Sequence, residues 1–323
     1  VGYDGTDNVR ITPANLTGGG GASSLNGLTD CLVDTESLYV GEVPSSLSGN
    51  PQNNTSLGID ASRDLTTATQ TTSIGNRAGK QTTTGLGNTN LGYQAGSQNQ
   101  TGIFNTNIGN GSGFWNTASY NVFVGYDSGQ VTGGYNTGIG VSALGKAFSS
   151  SCIQSVAVGY RAGHQQTAAN VVMIGFDSAR ANTATAHISI GSQAGYSNTS
   201  GEKNTNLGFR AAYNNTTGGD NVNVGYNAGY TATGSQNTAV GRSAFGGGFG
   251  HSGVGNVALG YLALQSPSGA SNNNVAIGSE ALKASGTKSN NVAVGYKAGF
   301  AATTGESNTL MGYEAGLAIT TAG

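Results

Sequence analysis

The sequence predicts an all-β protein, a parallel β-solenoid or β-roll of about seventeen coils of 15–19 residues each. Three observations carry this. A ten-residue phrase recurs along nearly the whole chain: NVAVGYKAGF at 291–300 returns as NVALGYLALQ from 256, NVNVGYNAGY from 221, NVFVGYDSGQ from 121 and NTNLGYQAGS from 88. Ahead of its central Gly, β-branched or large aliphatic residues alternate with small or polar ones, the period of a half-buried strand. The composition is turn-rich, with 56 Gly, 4 Pro and 9% charged residues. Gly does not fall at every third position, which excludes collagen. A net charge of −2 and β-branched residues in register exclude a disordered chain.

In chain order, residues 1–36 lack the phrase and are expected to form an N-terminal connecting and capping segment. VGYDGTDNVRITPANLTGGGG reads as a hairpin-like strand pair followed by a flexible Gly run. LNGLTDCLVDTESLYVG leads into the first coil and caps its open strand edge. The repeat array spans 37–316, starting from a degenerate unit at Gly41 and continuing through sixteen regular units from Gly58 to Gly312. The longer spacings before Gly159 (KAFSSSCIQ) and Gly260 (GGGFGHSG) mark loop insertions. Residues 317–323 read as a truncated C-terminal continuation, and the chain opens on Val1 rather than Met, as expected of a piece of a longer protein or of a processed one.

Each position in the unit has its own chemistry. A large aliphatic precedes the Gly, from Leu57 and Ile74 to Val294 and Met311, and a β-branched residue stands two earlier, as at Thr55, Val122, Ile188 and Val292. These are the expected core-facing residues, Val292 with Val294 for example. Between them stand small or polar residues such as Asn90, Ser189 and Ala276. Three residues after the Gly, every regular unit has Ala or Ser, including Ala78, Ala95, Ala162, Ala228 and Ala298. That line of close approach is expected to face another chain. Four residues before the Gly, twelve of sixteen units carry Asn, among them Asn54, Asn121, Asn221 and Asn308. Stacked strands would align these amides into a hydrogen-bonded ladder. Directly after the Gly, aromatics recur at Tyr93, Tyr126, Tyr160, Phe176, Phe209, Tyr226, Tyr261, Tyr296 and Tyr313. They form either a broken structural stack or a sugar-binding rail.

The phrase N-[VT]-x-[VIL]-G-Y-x-A-[GL] resembles the head repeats of YadA-like trimeric adhesins. It is still more similar to the repeat arrays of tail fibres from marine and cyanobacterial phages, with NTAVGRSAF (237–245) and NVAIGSEAL (274–282) as examples. The resemblance covers 37–316 and implies a parallel β-roll assembled as a homotrimer. A thin core, with two large aliphatics and one Ala per unit, also favours burying a second face against identical chains. The expected function is a structural fibre segment of a phage or virus particle that supports host attachment. Its partners would be other fibre or virion proteins and a host-surface polysaccharide or receptor. The alternative is a trimeric adhesin or extracellular filament on a bacterial surface.

No catalytic, cofactor-binding or metal site is expected. GVSALGKA (140–147) nearly matches a phosphate loop but ends in Ala and lies on the repeat register. GYDSG (125–129) is not the G-x-S-x-G elbow. His164, His187 and His251 have no ligand spacing, and His187 and Ser155 take the place of the repeat Asn. Cys31 and Cys152 read as buried free thiols. Sequons at Asn15, Asn53, Asn99, Asn198 and Asn214 matter only in a glycosylating host. With 13 basic and 15 acidic residues there is no electrostatic footprint for nucleic acid, and no run of 18 apolar residues suits a membrane. A polysaccharide-cleaving β-helix is the weakest reading, because no carboxylate pair recurs in one place.

Overall fold

The computed structural model describes residues 31–34, 36–41, 44, 47–146, 151–247, 251–266, 270–283, 286, 289–301 and 305–318. Most of the N-terminal segment, Asn15, residues 319–323 and parts of both loop insertions lie outside the described residues. The chain divides into two compact units, 1–120 and 121–323. Among the described residues all regular structure is β, as the repeat predicts.

In the first unit, β1 (Cys31–Asp34) pairs antiparallel with β2 (Ser37–Gly41). From β2 onward the strands are parallel and in register: β3 (Thr55–Gly58), β4 (Thr72–Ile74), β5 (Thr89–Leu91) and β6 (Thr106–Ile108). The second unit repeats the arrangement with three-residue strands. These are β7 (Val122–Val124), β8 (Thr137–Ile139), β9 (Val156–Val158), β10 (Val172–Ile174), β11 (Ile188–Ile190) and β12 (Thr205–Leu207). There follow β13 (Val222–Val224), β14 (Thr238–Val240), β15 (Val257–Leu259), β16 (Val275–Ile277), β17 (Val292–Val294) and β18 (Thr309–Met311). Each pairs with its successor residue for residue, so Val275 lies beside Val292 and Ile277 beside Val294.

The bend Gly explains why the register cannot slip. Gly225 has φ +135°, and a Cβ there would lie 2.6 Å from the carbonyl oxygen of Gly241 in the next coil. Both the dihedral and the stacking distance therefore exclude a side chain. Its N–H donates to Leu207 O at 2.8 Å, and its carbonyl accepts from Ala228 N–H at 3.3 Å. The latter bond closes a four-residue turn whose third residue, Asn227, has φ +54°. Positive φ at that place is what a type II turn demands.

The strands alternate as expected, but their inward and outward faces are the reverse of the sequence reading. Val292 and Val294 are only half-buried, while Ala293 between them is fully buried. The same inversion holds at Val275–Ala276–Ile277 and Thr205–Asn206–Leu207. The reason is the width of the coil. Each strand's central residue meets the third and fourth residues after the bend, and the gap admits one large side chain, not two. Where the strand residue is large, the facing arc residue is small, Ala179 against Met173, Ala212 against Asn206 and elsewhere Gly: a Cβ on Gly129 would come within 2.0 Å of the Phe123 ring, and one on Gly229 within 1.9 Å of Asn223 Oδ1. Where it is Ala or Gly, the arc often supplies the bulk, pairing Gly138 with Leu144, Ala239 with Phe245, Ala258 with Leu264 and Ala276 with Leu282, whose arc members are all buried. Ala157 and Ala293 face Gly163 and Gly299, and there side chains of neighbouring coils fill the space, Leu144 and Met173 at Gly163 and Leu282 and Leu310 at Gly299.

The same geometry corrects the small-residue line. Ala78, Ala95, Ala162, Ala228 and Ala298 are fully buried inside their own coils and do not form an outward seam toward another chain. They are small because they face the strand across this narrow interior.

The Asn ladder is present as expected. Asn221 Nδ2 donates to Gly234 O at 2.9 Å, and its Oδ1 accepts the Asn237 backbone N–H at 2.8 Å. Asn237 repeats the step with Gly253 O and Asn256 N–H, and Asn256 with Ser271 O and Asn274 N–H. Each amide thus ties the loop to the strand and one coil to the next. Ser155, Val171 and His187 interrupt the ladder on three successive coils.

Candidate functional surface

Turning the β-branched columns outward leaves each coil with an apolar exterior face. In the second unit it comprises the first and last residues of β7–β18. Leu207, Ile277, Ile139, Ile188 and Met311 are exposed, and Val156, Val158, Val240, Val257 and Val294 half-buried. No charged residue occupies either column. Successive strands lie about 4.8 Å apart, so twelve strands run for about 53 Å, and three residues span about 10 Å across. The residue that follows the bend Gly extends this apolar character with exposed Tyr126, Tyr160, Phe176, Phe209, Tyr226, Tyr261, Tyr296 and Tyr313.

These aromatics form broken stacks. Tyr160 lies on Phe176 at 5.3 Å, Phe209 on Tyr226 at 5.3 Å and Tyr296 on Tyr313 at 5.3 Å, with interplanar angles of 13°, 14° and 24°. Their faces are turned toward one another along the stack, so edges and hydroxyls meet the surroundings. A sugar laid flat on a row of open ring faces does not fit this arrangement. A second column on the fifth residue after the bend stacks Tyr196, Tyr213 and Tyr230 at 5.0 and 5.3 Å.

Cations accompany the rings. Arg161 lies 4.6 Å from the Tyr160 centroid, Arg210 5.0 Å from Phe209 and Lys297 5.1 Å from Tyr296. Arg242 takes a ring's place in the first column, 5.7 Å from Tyr226 and 5.6 Å from Tyr261. Some are neutralised by acids of the same or the next coil. Arg161 Nε is 2.9 Å from Asp177 Oδ1, and Glu280 lies 2.7 Å from Lys283 and 3.8 Å from Lys297. Those lysines hold the Glu280 carboxyl below its ordinary range, chiefly through the Lys283 hydrogen bond.

The residues singled out for chemistry have structural roles. Ser128 of GYDSG is buried, and its hydroxyl donates to Gly138 O at 2.8 Å. The described part of GVSALGKA is an ordinary coil bend, with Gly140 at φ +129° and Ala143 and Leu144 in the core. His187 is fully buried, with Nε2 2.6 Å from Ser189 Oγ and 3.2 Å from Asn206 Nδ2. Burial pulls its pKa down to about 4. His164, beside Ser142 O at 3.4 Å, and His251, beside Gly247 O, are also lowered, mainly by desolvation. Among the described residues no three His, Cys, Asp or Glu side chains converge as a metal site would require. Cys31 and Cys152 are free and buried, and burial raises the Cys152 thiol to about 12. Two of the sequon asparagines, Asn99 and Asn198, are buried and accept the N–H groups of Gly102 and Gly201, so the folded coils do not present them. No described helix is long and apolar enough to cross a membrane.

No protein-family model, curated protein or solved structure matches the chain.

Proposed function

We propose that the chain is a structural fibre segment of a phage or virus particle, assembled as a homotrimer and supporting host attachment. The observation that supports this most is the outward face of β7–β18, two columns of Val, Ile, Leu, Met and Thr without a charge. At about 53 Å by 10 Å, roughly 500 Å², these two columns alone reach the upper end of the largest apolar patch a soluble monomer leaves exposed. Further copies of the same chain are the natural cover, because an in-register repeat meets its own period along the full length. The number three follows from the resemblance to trimeric fibres and adhesin heads.

Light scattering on the purified chain tests the assembly, with an expected mass of three chains that Ile277→Asp lowers without loss of β-sheet signal. A wild-type monomer at micromolar concentration would overturn the trimer. Immunogold labelling tests the particle: decoration of virion appendages supports the fibre reading, and decoration of bacterial surfaces supports the adhesin reading instead.

A further inference from the structure

We infer that the arc of the second unit around Arg210 and Arg242 is a binding rail for an anionic glycan, read by guanidinium edges and phenol hydroxyls. Both arginines are held in place. Arg242 is sandwiched between Tyr226 and Tyr261, at 5.7 and 5.6 Å from their centroids. Arg210 lies 5.0 Å from Phe209 and 5.4 Å from Tyr213, and its Nε donates to Gln193 Oε1 at 2.8 Å. The ring contacts use none of the guanidinium N–H groups as hydrogen-bond donors to an acid, and a guanidinium fork matches a carboxylate or sulfate.

Neither arginine has an acidic partner within ion-pair distance among the described residues, in contrast to Arg161, Lys283 and Lys297. At Arg161, Lys283 and Lys297 the charge is neutralised by acids, and here it is left open. The two arginines lie two coils apart, about 10 Å along the stack. That spacing suits acidic groups on alternate residues of an extended polysaccharide. Beside Arg210, Tyr213 stacks on Tyr196 and Tyr230 at 5.0 and 5.3 Å, so three successive coils bring a regular series of hydroxyls. A periodic polar row matches a periodic polymer of sugar hydroxyls better than an irregular acidic peptide. Nucleic-acid bases are disfavoured, because the ring faces on which they would stack are already covered.

This deepens the fibre reading by giving the coils a ligand, yet its test does not depend on the particle. Binding of polygalacturonate, dextran sulfate, neutral dextran and polyglutamate to the assembled protein is measured by biolayer interferometry at low and physiological salt. The expected result is binding of at least one anionic glycan, none of dextran, and a loss of tenfold or more in R210Q/R242Q with an unchanged melting temperature. R242K, which keeps charge but not the planar fork, should lose most of the Arg242 share, and K297Q, a paired cation, should bind as wild type. No binding of either anionic glycan, equal binding by R210Q/R242Q, or polyglutamate binding as tightly as the glycans would each overturn the inference. The light-scattering mass would still stand apart from that outcome.

Discussion

Asn221→Ala removes one rung of the ladder and tests whether the asparagines hold the coils together. The amide makes two bonds, to Gly234 O at 2.9 Å and from Asn237 N–H at 2.8 Å. Gly234 and Asn237 are themselves buried, so water cannot replace the lost partner. Leaving a buried backbone group unpaired costs about 1–3 kcal/mol, so the two together cost about 2–6 kcal/mol. The preceding rung survives, because Asn204 Oδ1 accepts the backbone N–H of residue 221 at 3.0 Å whatever its side chain. The damage should therefore centre on the step to Asn237. In a stack with nearest-neighbour coupling, such a step opens before the whole unit does. Amide hydrogen exchange followed by mass spectrometry reads it directly, and a local loss of 2 kcal/mol corresponds to about 30-fold faster exchange at Asn237. Denaturant melts of the same variant give the global cost. Exchange at Asn237 within threefold of wild type, together with an unshifted melt, would refute the ladder as a stabilising device.

Three further outcomes are expected from the packing of the coils. Ala276→Asp should cost about 4 kcal/mol or more in denaturant melts by placing a charge in the closed interior, whereas Ile277→Asp, on the outer face, should change the stability of a single chain by less than about 1 kcal/mol; equal effects would sink the inward–outward assignment. Ala228→Leu should lower the melting temperature of the coil itself, by about 1–3 kcal/mol of overpacking, and a variant that loses assembly mass while keeping the monomer's stability would show that the small-residue line faces outward after all. Acid should destabilise the second unit through His187, whose folded pKa of about 4 lies below the ordinary 6.5. Its contribution is complete above pH 6.5 and is lost as pH falls toward 4, about 3 kcal/mol in all; His187→Asn should flatten that slope in pH-dependent melts, leaving the smaller terms of His164 and His251.

The repeat made strand positions, bends and the ladder legible because each is a backbone demand that recurs with the period. Gly at the bends answers a positive φ and a next-coil carbonyl, and Asn before most strands answers two backbone groups of fixed spacing. The inward face was misread for a physical reason. Hydrophobicity suggested that Val292 and Val294 belong in the core and Ala293 outside, and in a wide two-layer fold they would. Here the clearance across the coil is set by the bend, and only a small residue, or a large one against Gly or Ala, fits. The signal was in the sequence as a correlation between two positions: Phe123 with Gly129 and Asn223 with Gly229, but Ala258 with Leu264 and Ala276 with Leu282. Reading each column separately conceals that exchange of volume. The candidate surface was half legible, since the aromatic column stood out by period, but the pairing of Arg210 and Arg242 with rings depends on side chains reaching across coils.

That correction changes what an apolar repeat implies. A coil whose interior is filled by Ala, Gly, Asn and an occasional Leu buries little hydrocarbon, and much of its order must come from hydrogen bonds stacked coil upon coil. The strongly apolar residues are then free to serve the exterior, where Val, Ile and Leu on one face would be a liability in a lone chain. Retaining them on twelve successive strands, with no Lys, Glu or Pro to interrupt the columns, is what a permanently covered face requires. The arc is treated differently: its rings stack on themselves, Arg161 and Lys297 meet acids one coil away, and among the described arginines Arg210 and Arg242 keep an open charge beside aromatic rings. On the proposed reading, one side of the coil is covered by its own kind, and the other stays in contact with solvent and the anion it binds.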